Sequence, residues 1–336
     1  MNESMQAIKS LIRARFPIIW IRSVEEARVQ QFFQDMAPEF AASRKTLWCW
    51  TFTQGAQNLT DPKERANGEL TDPGEIVPHI CTQAQESDRR GHIWLLKDFH
   101  DFLDSPLVRR QLRDAYQLVQ ETFSTIILLS PLVNIPTELE GEVAVVDFDL
   151  PNLQEIEEIS KARILDVKGI LEEPVPDAAR LRKIAEACLG MTAAQVVGVL
   201  SRSIVDHKRI DLAFILREKE EVIRKSGLME FFPPTLNMDD IGGMDELKTW
   251  TIQRKGAFTE KAKEYGLPNP KGVLLLGVQG CGKSLCAKAF GGELELPVLR
   301  LDAGRLFGGI IGQSEENTRM AIKLAETVSP CILWIN

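Results

Sequence analysis

No stretch of this 336-residue sequence approaches the roughly 18 consecutive apolar residues that a membrane span requires; the longest runs, such as 126–129 and 273–276, fall far short. No C-x-x-C pair occurs among Cys49, Cys81, Cys188, Cys281, Cys286 and Cys331. The usual zinc and dithiol patterns are thereby excluded, and buried thiols in a reducing compartment are the expectation. Positive charge is not in excess: 40 Lys and Arg stand against 48 Asp and Glu, a formal net charge of −8. An acidic chain gains nothing from release of phosphate counterions, so sequence-blind binding to nucleic acid is not expected, although a local basic patch is compatible with this charge. A secretory signal is also missing, because Lys9, Arg13 and Arg15 precede only the short apolar run 16–21. Met5, Ile8, Leu11 and Ile12 instead recur at helical spacing. What is present is an average globular composition, 44% hydrophobic and 26% charged, in a chain long enough for two domains. The expectation is a soluble chain of the cytoplasm or an equivalent compartment, with no membrane partner.

Along the chain, strand-like and helix-like runs alternate. Strands are predicted at 17–21, 46–53, 92–96, 125–129 and 143–148, and helices at 24–36, 75–86 and 106–121, with a long polar loop over 55–74. Strands separated by helices of this length imply βαβ units and a mostly parallel sheet. After Pro151 only helices are predicted, at 153–166, 177–188, 192–207 and 212–226. Phe231, Phe232, Pro233 and Pro234 read as a break that opens a linker over 231–238. A second α/β unit follows, with strands at 272–276, 298–302 and 331–335 and helices at 283–294 and 315–327.

One motif in that unit carries chemistry. Gly277-Val278-Gln279-Gly280-Cys281-Gly282-Lys283-Ser284 fits G-x-x-x-x-G-K-[ST] and lies between the apolar run VLLL and the run LCAKAF, which begins at Leu285. Glycines let the backbone N–H groups turn inward as an anion nest, and a helix N-terminus adds partial positive charge. Lys283 would reach the outer phosphates of a nucleotide, and the Ser284 hydroxyl would ligate Mg²⁺. Cys281 is expected to fill a permissive position whose backbone N–H does the binding.

Other segments stand in a telling order around this loop: Asp240-Ile241-Gly242-Gly243, then Tyr265-Gly266-Leu267-Pro268, then Pro270-Lys271-Gly272-Val273-Leu274-Leu275, and downstream PVLRLD, Gly312-Gln313-Ser314-Glu315 and SPCILWI. This order resembles the AAA ATPases of the AAA+ group, most of all the AAA family of cyanobacteria and red-algal plastids described as a hypothetical chloroplast reading frame. The detailed match runs from Met238 to Ile335. The resemblance implies tandem AAA+-like α/β folds, the first with a helical lid and the second incomplete. ATP and Mg²⁺ are the implied cofactors, ATP hydrolysis the implied activity, hexamers the implied assembly, and the bacterial cytosol or plastid stroma the implied location. By the same resemblance Asp240, Ile241 and Gly242 would line the adenine pocket through backbone groups. Ile310-Ile311-Gly312 takes the place of a pore loop whose first position is aromatic in unfolding motors; with Ile310 there, an apolar contact is at least as good a reading. Family members place an Asp-Glu pair after the strand 331–335, where this sequence has Asn336. An amide binds Mg²⁺ weakly and cannot act as a base. With that pair, the sensor, the arginine finger and the lid absent, the sequence reads as a truncated ATPase that binds ATP with crippled turnover.

The first 230 residues resemble the same fold without its phosphate chemistry, as an α/β core over 1–150 and a helical lid over 151–230. Where a phosphate loop would stand, Arg22-Ser23-Val24-Glu25-Glu26 has no glycine, and Glu25 and Glu26 would repel phosphate. Lys97-Asp98 is a faint echo of the acidic pair. Asp98, His100 and Asp101 read as a solvated strand end in preference to a metal site, and Glu155, Glu157 and Glu158 as the exposed start of a helix. The competing function is a non-catalytic interaction module acting through this N-terminal domain. A GTPase is disfavoured because N-K-x-D does not occur, and a helicase by the acidic charge.

Overall fold

β-Branched and aromatic runs flanked by amphipathic helices organise the first 149 residues. In chain order these are α1 (Glu3–Arg13), β1 (Ile18–Arg22), α2 (Glu26–Asp35), α3 (Ala37–Ala42), β2 (Lys45–Thr51), β3 (Gly55–Asn58), α4 (Pro73–Glu86), β4 (Gly91–Lys97), α5 (Pro106–Gln120), β5 (Thr125–Ser130) and β6 (Val143–Asp147). The computed structural model describes the chain apart from residues 1, 61–69, 87–89, 168, 226, 228, 259–261, 263, 267–271, 303, 305–312 and 336. The strand order is β3-β2-β4-β5-β1-β6, and every pairing is parallel except the β2–β3 hairpin. This is the α/β class expected from the alternation. The stretch read as one polar loop over 55–74 in fact begins with β3, because Gly55, at φ +66°, turns the chain back onto β2.

The sheet has apolar layers on both faces, as a parallel sheet must. Trp20, Trp50, Trp94, Ile126 and Leu128 meet α4 and α5 on one side, while Ile19, Ile21, Leu95, Ile127 and Leu129 meet α1 and α2 on the other. At the lower rim of the first layer Trp48 stacks on Trp94 with centroids 5.1 Å apart, and His79 meets Trp94 edge-on at 5.9 Å. Thr46 Oγ1 lies 2.7 Å from His92 Nδ1. Burial lowers the pKa of both His79 and His92, and for His92 the neighbouring His79 and Arg90 lower it further. In the unfolded chain both rings take up protons near pH 6.5. The folded chain resists that uptake, so their contribution to stability is present above pH 6.5 and is lost as the pH falls below it. The melting temperature should drop by a few degrees between pH 7.5 and 5.0. The drop should shrink in His92→Gln, and an equal drop in that variant would refute the assignment.

Contacts divide the chain between Asp149 and Leu150. The second unit opens with α6 (Leu153–Asp166), α7 (Ala178–Cys188), α8 (Ala193–His207) and α9 (Leu212–Lys225). Two of these begin with reciprocal caps, Asn152 with Glu155 and Thr192 with Gln195, which satisfy otherwise free N–H groups. Ile156, Ile184, Val196, Leu200 and Ile215 form their shared core. Next come β7 (Met229–Phe232), α10 (Asp245–Lys255), α11 (Lys283–Leu294), β8 (Val298–Leu301), α12 (Gln313–Val328) and β9 (Ile332–Ile335). β7 pairs antiparallel with β8, and β8 parallel with β9.

Two expectations are corrected in this unit. Phe231 and Phe232 do not open a linker: they belong to β7, and Phe231 is buried with Leu299 and Leu301. The apolar run at 272–276 is not a strand. Leu274 and Leu276 are 82% and 84% exposed, and β8 and β9 pair directly with each other. A strand exists only where a neighbour takes its N–H and C=O groups, and among the described residues 272–276 has none. The pore-loop triplet Ile310-Ile311-Gly312, the segment 267–271 and Asn336 lie outside the described residues.

Candidate nucleotide-binding site

The loop at 277–284 is built by conformations that only glycine adopts readily. Gly280 has φ +86° and Gly282 φ +90°, and Gly282 is the residue from which α11 springs. Cys281 N–H closes a turn onto the Val278 carbonyl at 3.4 Å, and Cys286 N–H closes the first helical turn onto the Gly282 carbonyl at 3.0 Å. The amides at the head of α11 have no carbonyl four residues earlier, so the helix end presents donors and a partial positive charge. Val278, Gln279, Gly280, Cys281, Ser284 and Leu285 are all exposed. Gly277 sits under Cys281, whose Sγ would lie 2.6 Å from a Cβ at that glycine.

Lys283 folds back over its own loop. Its Nζ donates to the carbonyls of Gly277 and Val278, each at 2.8 Å, and lies 3.8 Å from Cys281 Sγ. The ammonium is therefore held against the carbonyls of the loop itself. Lys283 and Ser284 line a cavity of about 590 Å³ together with Trp250, Arg254, the 272–275 segment and β9. The donors, the lysine and the hydroxyl fit a polyphosphate: backbone N–H groups for its oxygens, Lys283 for its charge, Ser284 for a Mg²⁺ ion carried with it.

Asp240, Ile241 and Gly242 are brought to the same helix. Met238–Asp240 forms a single 3₁₀ turn closed by Asn237 N–H on Asp240 Oδ2 at 2.8 Å. Ile241 is buried with Cys286, Ala289 and Phe290 of α11. Cys286 Sγ approaches Met244 Sδ to 3.1 Å, and Trp250 meets Phe290 edge-on at 6.2 Å. The close packing depends on Gly292, where a Cβ would overlap the Leu236 carbonyl oxygen. Gly292→Ala should therefore cost about 1–3 kcal/mol through overpacking and lift 236–241 off α11. Denaturant unfolding of parent and variant checks this; an unchanged midpoint would contradict it.

The sequence did not point to the partners on α10, since nothing in the spacing of Met244 or Trp250 distinguishes them from ordinary core. Nor is every thiol buried as expected. Cys49, Cys188 and Cys286 are buried, Cys81 and Cys331 half-buried, and Cys281 exposed. Burial pushes the Cys49 thiol up to about 11 and that of Cys188 to about 12, so neither is ionised near neutral pH.

In the N-terminal unit the corresponding strand-to-helix connection is closed by side chains. Glu25 is buried, and Arg28 Nη1 donates both to its Oε2 and to the Asp149 carbonyl, each at 2.6 Å. Ser23 Oγ accepts from Glu25 N–H at 2.9 Å, and Arg22 grips Asp147 with two bonds of 2.6 and 2.9 Å. After β4, Lys97 donates to Glu26 and Gln30. Asp98 and Asp101 are exposed, and His100 Nε2 lies 3.4 Å from Asp101 Oδ1. Among the described residues no three His, Cys, Asp or Glu side chains converge as a metal site. No single described helix is long and apolar enough to cross a membrane.

Known proteins resemble successive parts of this chain. The family model for the SpoVK-like AAA ATPase N-terminal domain matches residues 4–148 and that for the SpoVK-like second domain residues 154–226. The model for the ATPase family associated with various cellular activities (AAA) matches 273–336. The AAA domain-containing protein ycf46 of Guillardia theta is 37% identical over 331 residues, 98% of this chain and 63% of that protein. The ycf46 protein of Pyropia yezoensis is 33% identical over 98% of this chain and 65% of its own length. The peroxisomal ATPase pex6 of Schizosaccharomyces pombe is 35% identical over 143 residues, 41% of this chain and 14% of that protein. The chain thus spans a little under two thirds of the ycf46 proteins it matches. Over nearly its whole described length, from the SpoVK-like N-terminal region to the phosphate loop, it belongs to the AAA family of ATPases.

Proposed function

We propose that this chain binds ATP with Mg²⁺ on the loop Gly277–Ser284, and that by itself it turns ATP over slowly or not at all. The observation that carries the reading is the loop itself: left-handed glycines at 280 and 282, exposed donors at the head of α11, and Lys283 held against the loop carbonyls. Slow turnover is supported by the cavity beside Lys283 and Ser284, in which no described lining residue is a carboxylate. Phosphoryl transfer depends on a group that orients water and on charge that holds the metal. Mg²⁺ bound with the nucleotide would neutralise phosphate charge, while the residues of this chain hold and orient it. In this reading 239–336, with β7 added to its sheet, is the nucleotide-binding part of an AAA domain, 233–238 joins the two, and the chain before β7 is an AAA-like core (1–150) and helical lid that carries no nucleotide. Assembly into homo-oligomers and a location in bacterial cytosol or plastid stroma follow from the same family reading.

Titration of a fluorescent ATP analogue with Mg²⁺ against the chain and its Lys283→Ala variant tests the proposal. Binding that weakens at least tenfold in the variant supports it; equal binding, or none by either protein, defeats it. A second reading, an interaction module working through the first unit, is favoured by the closed Glu25–Arg28 connection there. It predicts partner capture that is indifferent to ATP and to Lys283.

A further inference from the structure

The chain carries an excess of negative charge, yet cations collect along one rim of the N-terminal sheet. Arg44 and Lys45 stand at the start of β2, Arg90 immediately before β4, and Arg15 before β1. The topology makes them neighbours. Lys45 pairs with Gly91 across β2 and β4, and Gly91 N–H donates to the Arg44 carbonyl at 3.1 Å. Gly91 packs so tightly on Phe123 that a Cβ there would collide with the Phe123 carbonyl. The Arg15 guanidinium lies 4.1 Å from the centre of the Phe123 ring. Arg15, Arg44 and Arg90 are exposed and Lys45 is half-buried. Burial lowers the pKa of Lys45, and the like charge of Arg15 lowers it further, so the two are close enough to repel.

Among the described residues of this rim counter-charge is scarce. Lys9 and Arg13 share Glu39, at 3.2 and 3.6 Å. Among the described residues, Arg15, Arg44, Lys45 and Arg90 have no carboxylate within ion-pair distance; of the acids near them in sequence, Glu86 and Glu121 are described and Asp88 lies outside the described residues. Arg15 and Arg44 are each held at positive φ, +59° and +56°. Like charges concentrated without partners are relieved by an anion from outside.

We propose that this rim, formed by Arg15, Arg44, Lys45 and Arg90, is a docking surface for an acidic segment of a partner protein. Arginine suits carboxylates through its planar fork of donors. Neighbouring strands are about 4.8 Å apart, so the cations from β2 to the β5 side span about 10 Å, the reach of about three extended residues at roughly 3.3 Å each. Nucleic acid is the poorer occupant. Arg15 already covers one face of the Phe123 ring, where a base would otherwise stack, and the remaining surface of an acidic chain repels a continuous phosphate backbone.

The test uses the full chain and a fluorescein-labelled hexaglutamate peptide, followed by anisotropy at low and physiological salt. Hexaglutamate should bind, should weaken on adding salt, and should weaken at least tenfold in the triple variant Arg15→Glu/Arg44→Glu/Arg90→Glu. Arg90→Glu alone, at a position of ordinary backbone, should weaken it severalfold and guards against loss of folding in the triple variant. The Mg²⁺–ATP titration should be unaffected by these changes. Unchanged hexaglutamate binding in both variants would overturn the proposal, as would tighter binding of a labelled 12-nucleotide single-stranded RNA than of hexaglutamate at the same salt.

Discussion

Lys283→Ala should weaken Mg²⁺–ATP binding by about ten- to a hundredfold, the equivalent of one charge-assisted hydrogen-bond set worth about 1.5–3 kcal/mol. In the free chain the Lys283 ammonium is held by the Gly277 and Val278 carbonyls at 2.8 Å. A phosphate arriving at the loop exchanges those neutral acceptors for charged oxygens, which bind an ammonium more strongly. The backbone donors remain in the variant, so residual weak binding is expected. Thermal shift gives an independent reading. ATP should raise the melting temperature of the unmodified chain in proportion to the logarithm of its concentration, and should leave that of Lys283→Ala nearly unmoved. Ser284→Ala should differ in kind, losing the gain that Mg²⁺ confers while retaining metal-free nucleotide affinity. If Lys283→Ala bound as tightly as the parent, the loop would be a structural turn and the nucleotide reading would fall.

The second large effect concerns a lysine that no motif flagged. Lys219 of α9 is 3% exposed, and its Nζ lies 5.4 Å from the centre of the Phe231 ring of β7. Burial lowers its pKa to about 8 from 10.5, with Cys188 and Cys331 pulling weakly the other way. Because the folded value lies below the unfolded one, the unfolded chain holds the proton more tightly. The penalty is full below pH 8, declines between pH 8 and 10.5 as the folded amine loses its charge, and is gone above. Two and a half pH units correspond to about 3 kcal/mol. Lys219→Met, which keeps the length and removes the charge, should therefore stabilise the second unit by about 2–3 kcal/mol at pH 7. The gain should fade as the pH is raised toward 10.5. Urea unfolding of parent and variant at pH 7 and pH 10 measures both numbers. A variant less stable than the parent at pH 7 would mean that the amine contributes more through Phe231 than its burial costs.

Much of the chemistry could be read without coordinates because it is local. G-x-x-x-x-G-K-S works through consecutive residues, so the turn, the helix start and the lysine are specified by their own neighbours; the left-handed φ of Gly280 and Gly282 is the same requirement in angles. The alternation of strand and helix through the first 149 residues was equally plain, since a parallel sheet buried on both faces needs continuous runs of Ile, Leu, Val and Trp. The missing phosphate loop at Arg22–Glu26 was legible for the same reason, as an absence of glycine.

What depended on partners distant in sequence was not legible. The run at 272–276 has a strand's composition and no strand's hydrogen bonds, because pairing is decided by which edges meet. Phe231 and Phe232 look like a helix breaker beside two prolines and become a strand only because β8 offers an edge. Tertiary structure also turned Glu25 from a repelling charge into a buried plug held by Arg28, and set Lys219 in an apolar junction where its charge is costly. The basic rim is assembled from residues as far apart as Arg15 and Arg90, which composition averages into a chain of net negative charge. Residue chemistry and local spacing thus determined the phosphate loop and the order of elements. Edge pairing, burial and the gathering of charges were decided by the tertiary structure, because each is a property of neighbours in space.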